Sequence, residues 1–188
     1  MNNKPILALM VGIPGSGKTT FAKKFCKYFH YTYISRDDIR FSKIEDKDDY
    51  FDKESLVFTE FINSAVLSLR KDTNVLLDAT HLSKQSRKKV LKNINYFLTN
   101  YRVIYFVMDI PLKVCCQRNA KRKGRSKVPN SVILSMANTF CVPLFNEDNR
   151  IQAIYTILDK PYGYHIQKNL KGANEPTFIE WKSSERTF

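Results

Sequence analysis

Ile6-Leu7-Ala8-Leu9-Met10-Val11-Gly12-Ile13-Pro14-Gly15-Ser16-Gly17-Lys18-Thr19-Thr20 is the stretch that decides how this chain is read. Residues 12–19 fit G-x-x-x-x-G-K-[ST], the spelling of a phosphate-binding loop. The apolar run before it suits a strand, and Thr20-Phe21-Ala22-Lys23-Lys24-Phe25 after it suits a helix. That context separates a working loop from a Gly/Pro surface turn that happens to precede lysine. Backbone N–H groups converge on a polyphosphate only where the chain turns tightly with no side chain in the way, and glycine permits both. The helix that follows adds its unpaired N-terminal N–H groups and the positive end of its dipole. Gly12, Pro14, Gly15, Ser16, Gly17, Lys18, Thr19 and Thr20 are therefore the candidate nucleotide-binding residues. Lys18 is expected to reach the β- and γ-phosphates, and the Thr19 hydroxyl to bind Mg²⁺.

Outward from the loop, apolar runs alternate with amphipathic ones. The spacing predicts a strand over 5–11, a helix over 18–29 and a short strand over Tyr31–Ile34 leading to a capping Ser35. A helix over 54–70 with one apolar face is followed by a buried strand over Asn74–Asp78. Next come a Ser83-capped helix over 84–98, a strand over Arg102–Met108, and a helix to about Lys121 that starts with Pro111 in its first position. Residues 130–139 read as helix and Ile151–Ile157 as the last clear strand, while 43–53 read as a charged loop. The alternation argues for an α/β fold, a three-layer P-loop NTPase architecture with a central, mostly parallel sheet and ligands at the carboxyl ends of the strands. The length of 188 residues suits one domain. Residues 1–160 form its P-loop unit, and the weakly patterned tail 161–188 is expected to pack on it or extend it.

Lys and Arg number 31 against 18 Asp and Glu, a formal net charge of +13. Such an excess favours a polyanionic partner, with a solubility effect or a lysine-rich genome as the bland alternatives. Cys26, Cys115, Cys116 and Cys141 form no C-x-x-C pair, which disfavours zinc and suggests small buried hydrophobes in a reducing compartment. Lys4 through Gly15 has a superficial likeness to a signal peptide, but cleavage there would destroy the phosphate loop. No run approaches the length of a membrane span, so a cytoplasmic protein with no membrane partner is expected.

Three further stretches bear on the reaction. In Ser35-Arg36-Asp37-Asp38-Ile39-Arg40, Asp37 stands where a carboxylate would orient an acceptor hydroxyl and take its proton. Asp38 is better placed as a helix N-terminal charge, and Arg36 and Arg40 are candidates to grip anionic substrate. A charged first helical turn with internal pairing is the competing reading. In Leu76-Leu77-Asp78-Ala79-Thr80-His81, an apolar strand ends in Asp78, which resembles the second acid of phosphate-loop proteins that holds Mg²⁺ through water and is also a candidate on the acceptor side. Thr80 is a candidate contact to substrate or nucleotide, and His81 reads as a surface or supporting residue. The window 111–130 holds seven basic residues (Lys113, Arg118, Lys121, Arg122, Lys123, Arg125, Lys127) and no acid. Arg118 and Arg122 lie four apart, hence on one helical face, and a basic helical lid follows from them. Guanidinium groups there would neutralise charge building up in phosphoryl transfer.

Gly12–Thr19, Ser35–Arg40, Asp78–Thr80 and Arg118–Arg122, in this order and spacing, resemble the kinase domain of phage-type polynucleotide 5′-kinases. The resemblance covers roughly residues 5–140 and includes Lys127-Val128-Pro129 and Ile133–Met136. It implies an ATP- and Mg²⁺-dependent enzyme acting on a nucleic acid with a 5′-OH end. Asp37 would be the general base, with a possible water-mediated role at Mg²⁺ beside Asp78. Arg40 would contact an acceptor phosphate, Lys18 and Arg122 would stabilise the transferring group, and Arg118 would support the lid. No D-x-D-x-T stretch is present, so no 3′-phosphatase is expected. Two other readings stay open: a small-molecule kinase acting on a nucleoside or sugar, and a nucleic-acid-binding ATPase module.

Overall fold

The computed structural model describes residues 4–44, 53–160 and 163–182. Among the described residues seven strands form one sheet: β1 (Ile6–Val11), β2 (Thr32–Ser35), β3 (Val75–Asp78), β4 (Arg102–Met108), β5 (Ile151–Lys160), β6 (Gly163–Leu170) and β7 (Thr177–Lys182). Their order across it is β2-β3-β1-β4-β5-β6-β7. The first five run parallel, and β6 and β7 add antiparallel pairs. Accompanying them are the α-helices α1 (Lys18–Phe29), α2 (Arg36–Lys43), α3 (Glu54–Arg70), α4 (Lys84–Phe97), α5 (Leu112–Ala120) and α6 (Asn130–Asn138).

β1 is apolar throughout because both of its faces are covered, as a central parallel strand requires. Leu7, Leu9 and Val11 face Phe61, Ile62 and Val66 of α3 and Val90, Leu91 and Ile94 of α4. Ala8 and Met10 face the other way, toward Phe21, Ala22 and Cys26 of α1. Three layers result, as the alternation predicts. The chain leaves β1 toward the β3–β2 side and returns to β4 on the other side. That reversal opens a crevice at the carboxyl end of β1, and the phosphate loop occupies it.

Several elements differ from the sequence expectation. β5 runs through Lys160 and turns back as β6 and β7, where the sequence shows only a weak pattern. Tyr164 and Ile166 are buried and alternate with half-buried His165 and Gln167, two periods that are too short to stand out from a loop. Their burial comes from α1: the Phe21 ring lies 5.2 Å from Tyr164 and 5.3 Å from Trp181. Pro111 caps α5 from outside the helix instead of occupying its first position. Of the cysteines expected to be buried, Cys26 and Cys115 are, Cys116 is half-buried and Cys141 is exposed. Cys141 lies beyond the end of α6, and its carbonyl, not its thiol, is turned inward to Arg87. Of the expected loop 43–53, Lys43 closes α2 and residues 45–52 lie outside the described residues. Among the described residues no helix is long and apolar enough to cross a membrane.

Candidate active site

The phosphate loop is seated by a close backbone approach. Gly15 has φ +85°, and a Cβ there would stand 2.2 Å from the Cys115 carbonyl oxygen. Glycine alone lets the turn rest against α5. Gly17 precedes α1 at φ 91°, supplies no side-chain cap, and no acid follows in the first turn. The first N–H groups of α1 are thus left for an anion. The Ser16 hydroxyl is buried and has no hydrogen-bond partner among the described residues, which leaves it as a further donor at the loop. Lys18 folds back and donates to the Ile13 carbonyl at 2.8 Å. Burial pushes its ammonium down to about 8, while Asp78 and Asp37 favour the charged form and Arg122 opposes it. Pro14 is buried, and Thr19 and Thr20 are exposed at the mouth.

β3 delivers Asp78, which is 6% exposed. One of its oxygens accepts from the Thr19 hydroxyl at 2.7 Å and from the Tyr33 hydroxyl at 2.8 Å. Burial and then the Asp78 charge raise the Tyr33 phenol well above its ordinary range. Tyr33 is a residue the sequence reading passes over, because a strand tyrosine signals packing unless its cross-sheet partner is known. Thr80 is half-buried, and its carbonyl takes the Gly12 N–H at 3.0 Å. His81, expected at the surface or in support, is 3% exposed with φ 42°, a left-handed conformation uncommon outside glycine. Its Nδ1 lies 2.8 Å from the Met10 carbonyl, and burial drives its pKa down to about 4. The ring is neutral at pH 7, so Nδ1–H donates and Nε2 is left as a buried acceptor with no partner among the described residues.

β2 delivers the next group. The Ser35 side chain accepts the Asp38 N–H at 3.1 Å and caps α2. Asp37 and Asp38 both stand in the first helical turn, so Asp37 belongs to the helix and not to the strand end. Asp37 is open to solvent and accepts from Arg40 at 2.6 Å. Arg40 is itself 4% exposed and also donates to Glu54 at 2.7 Å. The internal pairing weighed from the sequence is present, with Arg40 buried beneath Asp37 instead of reaching out as an open anion grip. Arg36 pairs with Glu54 as well and lies over the Phe58 ring. Glu54, at the start of α3, is held below the usual carboxylate range by the two arginines against the cost of burial.

The lid departs from the sequence expectation in one respect. α5 ends at Ala120, so Arg118 is helical and Arg122 is not. The cause is Asn119, fully buried, whose carboxamide donates to the Val128 carbonyl at 2.7 Å and accepts the Val128 N–H at 3.0 Å. That two-way bond draws residues 121–127 into a closed loop, with Gly124 at φ 58°. Arg118 pairs with Asp159 at 2.8 Å, and its guanidinium passes over Gly17. Arg125 reaches across to the Ile44 carbonyl at 3.3 Å, just past α2. The loop thus spans from the start of α1 to the end of α2. Among the described residues no group of three or more His, Cys, Asp or Glu is gathered as a metal site.

A phosphate loop at the reversal of a mostly parallel sheet, facing an aspartate and a basic loop, defines a nucleotide-binding protein of the P-loop kinase class. Residues 7–143 match the family described as AAA domain, and the chain belongs to it. It is 29% identical over 143 residues to L-seryl-tRNA(Sec) kinase of Methanococcus maripaludis, covering 73% of this chain and 53% of that protein. It is 31% identical over 137 residues to a protein of Autographa californica nuclear polyhedrosis virus named for a bifunctional polynucleotide kinase/RNA ligase, covering 63% of this chain and 18% of that one. The chain thus spans about half or less of the length of these relatives. Among solved structures it is similar to a chain of the Pnkp1/Rnl/Hen1 RNA repair complex, with TM-score 0.63 and 26% identity over 73% of this chain and 44% of that one. A sugar kinase from Janibacter, at TM-score 0.55 and 16% identity over 82% of this chain and 86% of that one, shares the fold.

Proposed function

We propose that the chain is an ATP-dependent polynucleotide 5′-hydroxyl kinase. The observation that carries this reading is that the uncapped start of α1, Asp78 bonded to the Thr19 hydroxyl at 2.7 Å, the Arg118 guanidinium beside Gly17 and Asp37 in the first turn of α2 stand together at the carboxyl ends of the parallel strands. Asp37 orients the 5′-hydroxyl and accepts its proton. A bond forms between that oxygen and the γ-phosphorus as the bond to the β-phosphate bridging oxygen breaks, leaving ADP. Lys18 and Arg122 neutralise the charge on the transferring group, and Arg118 holds the lid over the start of α1. Arg40, through its bonds to Asp37 and Glu54, keeps the base in place. Arg36 and Thr80 border the acceptor side. Thr19 and Asp78 supply hard oxygen donors at one spot and would hold Mg²⁺ there together with substrate phosphates. The ion would supply charge neutralisation on the phosphate oxygens.

A polynucleotide acceptor is supported by the net charge of +13 and by the polynucleotide-kinase and RNA-repair proteins among the similar chains. The second reading is a kinase for another hydroxyl, favoured by the seryl-tRNA(Sec) kinase likeness. An ATPase module that only binds nucleic acid accounts less well for Asp37. γ-Labelled ATP offered with 5′-OH oligonucleotides should give a 5′-labelled product, with acceptor binding that weakens steeply with salt. Label on a nucleoside, a sugar or seryl-tRNA, and on no DNA or RNA end, would replace this reading with the second. Nucleic-acid-stimulated hydrolysis with no labelled acceptor would favour the third.

A further inference from the structure

We propose that the buried Arg87–Glu147 pair is a positioning device that holds the β3–α4 turn, and through it the phosphate loop, in register for transfer. The inference rests on the phosphoryl-transfer reading and adds two residues that reading does not use. Arg87, in the first turn of α4, is fully buried, and Glu147 is 8% exposed. Arg87 Nε and Nη2 donate to the two Glu147 oxygens at 2.8 and 2.6 Å. Its Nη1 points the other way, into three carbonyls: His81 at 3.0 Å, Leu82 at 3.1 Å and Cys141 at 2.9 Å. One guanidinium therefore ties the turn after β3 to the segment after α6. The same two segments meet directly where the Cys141 N–H donates to the Leu82 carbonyl at 2.9 Å.

The turn after β3 is in turn bonded to the phosphate loop and to the strand that feeds it. Thr80 takes the Gly12 N–H, and the His81 ring bonds the Met10 carbonyl. His81 keeps its left-handed backbone between these anchors, the ring held on one side and the carbonyl on the other. Leu82 also packs with Ile13 of the loop, Cys115 of α5 and Ile133 of α6. A continuous path runs from Glu147 through Arg87, His81 and Thr80 to Gly12, and Asp78 at the end of β3 lies just before Thr80 in the chain. Folding alone does not call for such a pair, because well-packed apolar residues of similar volume commonly serve a buried site as well. What apolar side chains cannot do is fix three carbonyl directions at once.

The test uses Glu147→Gln, which keeps the shape and one acceptor. Leu69→Ala, in the core at the far end of α3, serves as a control chosen to lower Tm. Amide exchange at Gly12, affinity for a fluorescent ADP analogue, and single-turnover transfer are read for each. Glu147→Gln should speed Gly12 exchange and slow transfer by on the order of tenfold or more, with acceptor KM unchanged. Affinity for the ADP analogue should fall severalfold. Leu69→Ala should leave all of these at wild type despite its lower Tm. The double variant Arg87→Met/Glu147→Leu, with no orphaned charge, should fold and show the same losses. Wild-type exchange, affinity and rate in either folded variant would overturn the proposal. So would failure of both to fold, which would make the pair a folding element. Gly12 exchange and ADP affinity need no acceptor, so a failed search for a polynucleotide product would leave this inference separately decided.

Discussion

α1 and α2 both start at the carboxyl ends of parallel strands and face one cleft, yet their N-termini are built in opposite ways. α1 begins after a glycine, with no cap and no acid in its first turn. α2 begins after Ser35, which caps it, and carries Asp37 and Asp38 at once. The helix dipole is the same in both, so the difference lies in who satisfies it. In α2 the protein's own carboxylates and hydroxyl do. In α1 no side chain among the described residues does, and the buried Ser16 hydroxyl beside it, with no partner among them, deepens the deficit. One helix start is left for a phosphate; in the function proposed above, the other holds the carboxylate that meets the acceptor hydroxyl.

The largest effect should come from emptying the acidic end. Asp37→Ala should leave nucleotide affinity within about twofold while transfer falls by roughly 10²–10⁴-fold, the range of a lost general base. Equal loss of binding and transfer would make Asp37 a structural partner of Arg40 alone. Next, Gly17→Asp gives α1 the acid that α2 has. Nucleotide affinity should fall by roughly 100-fold from charge repulsion and from strain at φ 91°, as titration with a labelled nucleotide would show. Retained affinity would mean that the start of α1 is not where the phosphates sit.

A smaller effect follows from the buried Lys18. Its pKa in the folded protein, about 8, lies below the ordinary 10.5, so the folded state sheds the proton first. The nucleotide-free protein should therefore gain stability as pH rises from 8 to 9.5, by on the order of 1–2 kcal/mol from this group. Chemical denaturation at the two pH values, with Lys18→Met as the non-titrating reference, measures it; an identical pH slope in that variant would refute it. The smallest change is on the α2 side. Ser35→Ala should cost about 1 kcal/mol of stability through the lost cap, with nucleotide affinity untouched.

Much of this was legible from local pattern. The phosphate loop, β1, α1 and α3 follow from glycine spacing and apolar periodicity within a single window, and Ser35 and Ser83 were readable as caps. Asp37 and Asp78 were legible as residues but not in their surroundings. Nothing near Asp78 in sequence points to Tyr33, which is 45 residues away and reaches it only because β2 pairs with β3. Spacing alone sets Arg122 on one helical face with Arg118. Asn119 ends that helix through Val128, a bond that spacing cannot reveal. The β6–β7 hairpin shows the same limit, since Tyr164 and Trp181 become core only against Phe21.

By itself the sequence determined that a strand, a glycine turn and a helix would form around residues 12–19 and bind a polyphosphate, because those preferences act between neighbours. Only the tertiary structure decided that Arg40 lies buried under Asp37, that Tyr33 and Thr19 share one oxygen of Asp78, and that Arg87 links Glu147 to the turn beside the phosphate loop. Each of those bonds joins side chains whose charges and donors are visible in the sequence. Their partners are fixed only when strands far apart in the chain take their places in the sheet.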